Sequence, residues 1–240
     1  MSLAACANGD YDVHWRQLAQ NLTSAWGSLP NVYLRVGHEM DGGWYSWRAQ
    51  QGQGDEVNFA GCFRAVVKAM RSEKPDATSK FVYNPSNTLW SQSYLNDTWP
   101  GDAFVDVVGL DFYDQNWGTG TYPYPSPCDQ ACQTAHQTNS WNANVGILNM
   151  TRDFAKAHGK PFAIPEWGTC FLGDGHGGND NPFYMQKMAG FIKDPSNNVL
   201  FHVYFDVQAP DGGYQISTGK NLDYTTPFVQ SGQIFKTSFQ

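Results

Sequence analysis

The sequence predicts an α/β protein built on a parallel sheet, and three observations carry the prediction. Short runs rich in β-branched and aromatic residues alternate with longer one-faced helical stretches. One of those runs, 104–110, is apolar almost throughout, as a strand covered on both faces requires. The C-terminal ends of the runs turn polar and then aromatic, which is the pattern of an α/β barrel mouth.

The elements follow in order. Asp10 or Asp12 is positioned to cap a helix in which Trp15, Leu18, Leu22 and Trp26 recur at three- and four-residue steps, with Gly27 as its stop. Val32-Tyr33-Leu34 reads as a strand. Asp55 opens a helix carrying Phe59, Phe63, Val66, Val67 and Met70 on one stripe, ending before Lys74-Pro75. Lys80–Tyr83 is the next strand, ending in Asn84-Pro85-Ser86-Asn87 with Trp90 soon after, and Phe104–Leu110 follows. Residues 115–140 read as one long loop, then 142–157 as a helix stopped by His158-Gly159. Pro161–Ile164 is a strand leading to Pro165-Glu166-Trp167-Gly168. A Gly/Asp/Asn-rich loop at 173–181 precedes a helix with Phe183, Met188, Phe191 and Ile192. Val199–Phe205 is the last strand, and a short helix over Pro227–Phe239 closes the chain.

Composition narrows the function classes. The 240 residues include only 15% charged side chains and a net charge of −7, with no Lys/Arg cluster, which argues against nucleic acid and against an anionic membrane surface. No apolar run reaches transmembrane length. Nine Trp and twelve Tyr in a chain this poor in charge suit a neutral hydroxylated ligand, whose C–H faces stack on flat rings. Of five cysteines, Cys62 lies on an apolar helix face and reads as a buried thiol. Cys128 and Cys132 are spaced for a local disulfide, Cys170 follows a strand end, and the odd count leaves at least one thiol outside an internal pair. The beginning, Met1–Cys6, lacks the basic and apolar regions of a signal peptide. A secreted or extracytoplasmic protein is expected.

The chemistry concentrates at two strand ends. Arg35-Val-Gly-His38-Glu39-Met40-Asp41-Gly-Gly-Trp44-Tyr45-Ser-Trp47 sets a cation, an imidazole and a carboxylate within five residues, then three rings. In isolation this reads as an Arg35–Glu39 ion pair with tryptophans capping a core. Glu166 supplies a second carboxylate at another strand end, followed by Trp167. In a parallel barrel such ends converge, and two carboxyl groups are the minimum equipment for cleaving a glycosidic bond. No Gly-x-Ser-x-Gly elbow and no Cys/His spacing for a metal is found. A non-hydrolytic sugar-binding protein, needing the aromatic mouth but neither carboxylate, is the alternative from another class.

These residues resemble glycoside hydrolase family 26. The Arg35–Trp47 stretch is similar to that family's acid/base motif, Pro100–Tyr113 to its sixth-strand motif, and Pro165–Gly168 to its nucleophile strand. The resemblance implies a (β/α)8 TIM-barrel type fold and a retaining double displacement without metal or organic cofactor. Glu39 would be acid/base and Glu166 nucleophile. His38 would bind sugar hydroxyls, Tyr113 would hydrogen-bond the nucleophile, and Trp44, Trp47 and Trp167 would line subsites. Arg35, Asp111, Trp117 and Tyr204 complete the expected substrate-binding set. The implied activity is endo-acting on a β-linked plant or microbial polysaccharide, β-1,4-mannan first, with β-glucan or β-xylan as alternatives. Two departures fall in the motifs: Asp41 stands where asparagine is usual, and Tyr204-Phe205-Asp206 where tryptophan is common. Both touch the sugar-binding region and bear on mannan specificity.

Length adds an expectation. With Glu39 on the fourth strand of that fold, three strands should precede it, yet about thirty residues do. The chain is therefore expected to be one catalytic domain, 1–240, truncated to the last five strands with the first three missing. Its uncovered edge would favour a homo-oligomer.

Overall fold

The computed structural model describes residues 1–26, 32–49, 54–73, 79–89, 91–217 and 228–240. Gly27, Lys74-Pro75, Trp90 and Pro227, which the sequence singles out, lie outside the described residues. The chain forms two compact units: residues 1–110 with 150–162, and 111–149 with 163–240.

In the first unit, helices α1 (Leu3–Ala7) and α2 (Asp12–Trp26) precede strand β1 (Val32–Arg35); helix α3 (Glu56–Glu73) leads to β2 (Ser79–Tyr83), and helix α4 (Gln92–Thr98) to β3 (Val107–Gly109). β1 pairs in parallel with β2, Leu34 opposite Phe81, and β2 with β3, Val82 opposite Val107. The apolar stripe of α3 is buried as the periodicity predicts, with Phe59, Phe63, Val66, Val67 and Met70 all within the core. The α2 stripe is not: Ala19 is its one buried residue among those described, and Leu18 and Trp26 stand exposed. Cys62 corrects a sequence expectation. It is buried but bonded to Cys6, so the disulfide clasps α1 onto α3. The partner lies 56 residues away in a five-residue helix whose pattern is too short to read.

The second unit contains β4 (Phe112–Asp114), most of helix α5 (Gln130–Ala157) and of strand β5 (Phe162–Thr169), the short strand β6 (Phe171–Leu172), helix α6 (Pro182–Lys193), strand β7 (Val199–Tyr204), the two-residue strands β8 (Gln208–Ala209) and β9 (Gly212–Gly213), and helix α7 (Val229–Phe239). β4 and β5 run parallel, Phe112 opposite Trp167, and β7 pairs with β5. A small antiparallel sheet, β6-β9-β8, follows β5 in the chain. α5 begins twelve residues before the sequence indicates. Its first turns are polar, so hydrophobic periodicity is silent there; the Cys128–Cys132 disulfide and Asp129, whose carboxylate accepts from the Cys132 amide at 2.9 Å, anchor the start. Asn181 caps α6 by accepting from the Tyr184 amide, and Pro182 occupies the first turn. Among the described residues, no helix is long and apolar enough to cross a membrane.

Candidate active site

The first unit builds its carboxylate on a loop. After β1 the chain turns through Gly37 (φ 58°) and Glu39 (φ 53°). A glutamate in the left-handed region costs on the order of 1–3 kcal/mol and persists only where its surroundings determine it. Here the Glu39 amide donates to the Asn84 carbonyl at 2.7 Å, and the Glu39 carbonyl accepts from the Gly42 amide at 3.1 Å. Asn84 is fully buried at the end of β2, and its side-chain oxygen also accepts from Arg35 Nε at 2.8 Å. Asn84 thus positions two predicted site residues. The polar end of β2 was the signal for it.

Asp41 follows Glu39 by two residues, and its carboxylate is turned to protein partners. It is 8% exposed and receives three hydrogen bonds, from the Ser86 amide and hydroxyl (both 2.8 Å) and from the Thr88 hydroxyl (2.7 Å). Burial pushes its carboxyl up, and the three donors oppose that shift. Its work is to staple the Glu39 loop to the loop after β2. The aromatic residues then fold back. Trp44 lies over Gly42, where any Cβ would fall inside the indole, and its Nε1 donates to Glu39 Oε2 at 2.9 Å. Trp44 is exposed. His38 Nε2 is 3.2 Å from the Tyr45 hydroxyl, and Trp47 donates to the His38 carbonyl at 2.8 Å while stacking on Tyr45 at 4.4 Å. Tyr45, not singled out from the sequence, joins these two predicted residues.

The second unit builds its carboxylate on a strand. Glu166 sits inside β5, which runs on to Thr169 past the strand end that the sequence indicates at Ile164. Pro165 does not end it. The neighbouring register sets Tyr113 opposite Gly168, and the Tyr113 hydroxyl donates to Glu166 Oε2 at 2.9 Å. This is the contact that the resemblance implies. Asp111 is fully buried, with a carboxylate oxygen within 4.8 Å of one from Glu166. Tyr113 itself rests on a cluster of Cys170, Leu172 and Tyr214.

Trp167 and Tyr204 do not line a subsite. Successive strand residues face opposite ways, so Glu166 and Trp167 point apart. Trp167 is fully buried among Tyr184, Tyr204, Phe235 and Phe239, and its Nε1 donates to His202 Nδ1 at 3.2 Å. Tyr204 is 9% exposed and donates to the Tyr214 carbonyl at 3.0 Å. Asp206 accepts from the Ile216 and Ser217 amides, so this departure from the family pattern also serves packing and turn formation. Trp117, in contrast, is exposed.

Beside Tyr113 lies a buried hub that the sequence reading passed over. Asp114 accepts from the Tyr122 hydroxyl at 2.9 Å and from Asn181 Nδ2 at 2.7 Å, joining the end of β4 to the long loop and to the cap of α6. Gly178 lies so close that a Cβ there would collide with this carboxylate. Burial pushes Asp114 up to about 6, against the opposing effect of its donors.

Residues 12–159 match the family model of glycosyl hydrolase family 26. A mannan endo-1,4-beta-mannosidase of Bifidobacterium adolescentis is 28% identical over 175 residues, covering 70% of this chain and 16% of that protein. Endoglucanase H of Acetivibrio thermocellus is 27% identical over 205 residues, covering 82% and 20% respectively. Among solved structures, a double mutant of the Cellulomonas fimi endo-beta-1,4-mannanase aligns at a TM-score of 0.61 and 23% identity, over 90% of this chain and 45% of that one. The catalytic domain of a Bacillus sp. JAMB-750 endo-beta-1,4-mannanase aligns at 0.59 and 20%, over 95% and 56%. The chain therefore spans a fifth or less of these curated relatives and about half of these structures. The structural likeness fixes the fold as a truncated α/β fold of the (β/α)8 type.

Proposed function

Because the chain belongs to glycosyl hydrolase family 26, we propose that it is an endo-acting, retaining hydrolase of a β-linked polysaccharide, with β-1,4-mannan as first substrate. The observation that carries this reading is the 2.9 Å hydrogen bond from the Tyr113 hydroxyl to Glu166 Oε2, which orients the carboxylate proposed as nucleophile. In the proposed reaction Glu39 donates a proton to the glycosidic oxygen while Glu166 attacks the anomeric carbon. Water, deprotonated by Glu39, then attacks the anomeric carbon and breaks its bond to Glu166, freeing the sugar and the carboxylate. The mannan assignment is supported by the mannan-acting relative. The endoglucanase relative favours β-glucan as the second substrate. Product release from galactomannan, barley β-glucan, carboxymethylcellulose, β-1,4-xylan and β-1,3-xylan, run beside Glu166→Ala and Glu39→Ala, tests it. Turnover of one polymer that both variants lose supports the reading. Glycan binding without turnover would replace it with a binding function.

Two further parts of the proposal concern surroundings. The Cys6–Cys62 and Cys128–Cys132 disulfides favour an extracytoplasmic location. A second copy of the chain would cover the first unit's uncovered apolar surface. There, exposed Leu18 joins Trp15, Tyr33, Leu34, Phe63 and Met70 in lining a cavity of about 560 Å³, and β1 is an end strand among the described residues. Light scattering of a dimer supports this, and a monomer at every concentration sinks it.

A further inference from the structure

Trp117 is the exposed tryptophan of the second unit, and its setting differs from that of a stray surface ring. It is 57% exposed, yet it is held by two neighbours. One face stacks on the His176 imidazole, centroids 5.4 Å apart and planes within 19°. Its indole N–H donates to Asp174 Oδ2 at 3.2 Å. Asp174 in turn accepts from the His176 amide at 3.0 Å and lies 3.3 Å from His176 Nδ1. The two loops are sewn together by the Asn116 amide donating to the His176 carbonyl at 3.0 Å and by the Gln115–Gly177 bridge. The donors converging on Asp174 hold its carboxyl below the usual range.

This bracing fixes what the ring can recognise. Its single polar group is committed to Asp174, so what it offers to solvent is flat, apolar and already ordered. Ligand binding then loses little side-chain freedom. A hydrogen-bonding or anionic ligand gains nothing there. A pyranose, whose C–H face is apolar and whose hydroxyls project sideways, is matched. Trp117 follows Tyr113 by four residues, so their Cα atoms are no more than roughly 14 Å apart, and Tyr113 bonds the proposed nucleophile.

We propose that Trp117, braced by His176 and Asp174, is a platform that grips a hexopyranosyl unit of the polymer away from the cleaved bond. Trp117 contacts sugar; His176 and Asp174 are positioning residues. The platform makes binding depend on chain length: a saccharide long enough to lie on it gains affinity that a disaccharide at the cleavage point does not.

This rests on the glycan-hydrolase reading above, and calorimetric binding to Glu166→Ala separates the two. β-1,4-Mannohexaose and cellohexaose are titrated into that variant alone and combined with Trp117→Ala, Trp117→Phe, His176→Ala, Asp174→Ala or Asp174→Asn. Trp117→Ala is expected to weaken hexaose binding roughly two- to tenfold, the range for one lost ring contact, while leaving mannobiose binding unchanged. Trp117→Phe restores most of the loss. His176→Ala and Asp174→Ala weaken it less, and Asp174→Asn, which keeps an acceptor oxygen, stays near the parent. Hexaose affinity that is indifferent to Trp117→Ala, or no hexaose binding to the parent, overturns the platform. Binding lost with Trp117→Ala in a protein that hydrolyses none of the polymers keeps the platform and removes the hydrolase.

Discussion

The two units of this chain hold a carboxylate each, by opposite means. In the first, Glu39 occupies a left-handed turn and owes its position to a web of loop contacts: Asn84 on its amide, Trp44 on its carboxylate, Asp41 stapling the loop from behind. In the second, Glu166 occupies an ordinary strand, positioned by sheet register and bonded by the Tyr113 phenol. The difference teaches that precision can be assembled from many weak contacts around a strained residue, or inherited from a regular element. The first kind is sensitive to distant loosening. The second is sensitive only to its neighbours.

The sharpest contrast should be catalytic. Glu166→Ala is expected to abolish turnover whatever the leaving group, because no glycosyl-enzyme forms. Glu39→Ala should cost roughly 10²–10⁴-fold on polysaccharide but far less on an aryl glycoside whose phenolate departs without a proton. Equal losses on both substrates, measured as kcat/KM, would erase the assigned division of labour.

Next in size is the clasp under the Glu39 unit. The Cys6–Cys62 bond spans 56 residues and the Cys128–Cys132 bond spans 4. Loop-closure entropy gives about 4 kcal/mol for the first and about 2 kcal/mol for the second. Urea midpoints of Cys6→Ala/Cys62→Ala and Cys128→Ala/Cys132→Ala should fall in that order, and the reverse order would show that α1 is not structurally coupled to α3.

Asp114 should give the second unit a pH signature. Its folded value of about 6 lies above the ordinary 3.8, so the folded state holds the proton more tightly than the unfolded chain. Stability from this group is therefore greatest below about pH 4, declines as pH rises towards 6, and is flat above. The span is about 3 kcal/mol. Unfolding free energies of the parent and Asp114→Asn, compared at about pH 4 and pH 7, should converge or cross by about that much; a constant difference would remove Asp114 as the cause.

Smallest is Tyr113→Phe. Losing a hydrogen bond to a charged group is worth about 1.5–3 kcal/mol, a roughly ten- to hundredfold fall in kcat/KM, with the thermal midpoint little changed. A stability loss without a rate loss would make the bond structural.

How much of this could be read beforehand follows the same division. The alternation of strands and helices, the α3 stripe and the Tyr113 contact were legible, because a period or a motif encodes each of them. Facing was not. Trp167 sits one residue from Glu166 and is wholly buried, since adjacent strand positions point apart, and the aromatic residues that enclose it come from α6, β7 and α7. The role of Asp41 was hidden for a related reason: its partners Ser86 and Thr88 lie 45 and 47 residues on, in a loop whose approach no local pattern announces. The polar first turns of α5 and the Asp174–His176 brace beneath Trp117 were hidden likewise, the one lacking apolar periodicity and the other depending on two loops meeting.

Cys170 carries a consequence for handling the protein. It is fully enclosed, and burial raises its thiol well above the ordinary range, so in the folded chain it forms no thiolate able to attack a disulfide. Unfolding releases it into the company of four oxidised cysteines. Heat inactivation should therefore become irreversible by pairing the wrong sulfurs, faster in alkaline than in acidic buffer, and the fifth cysteine makes the half-life of this protein a matter of thiol chemistry as much as of folding.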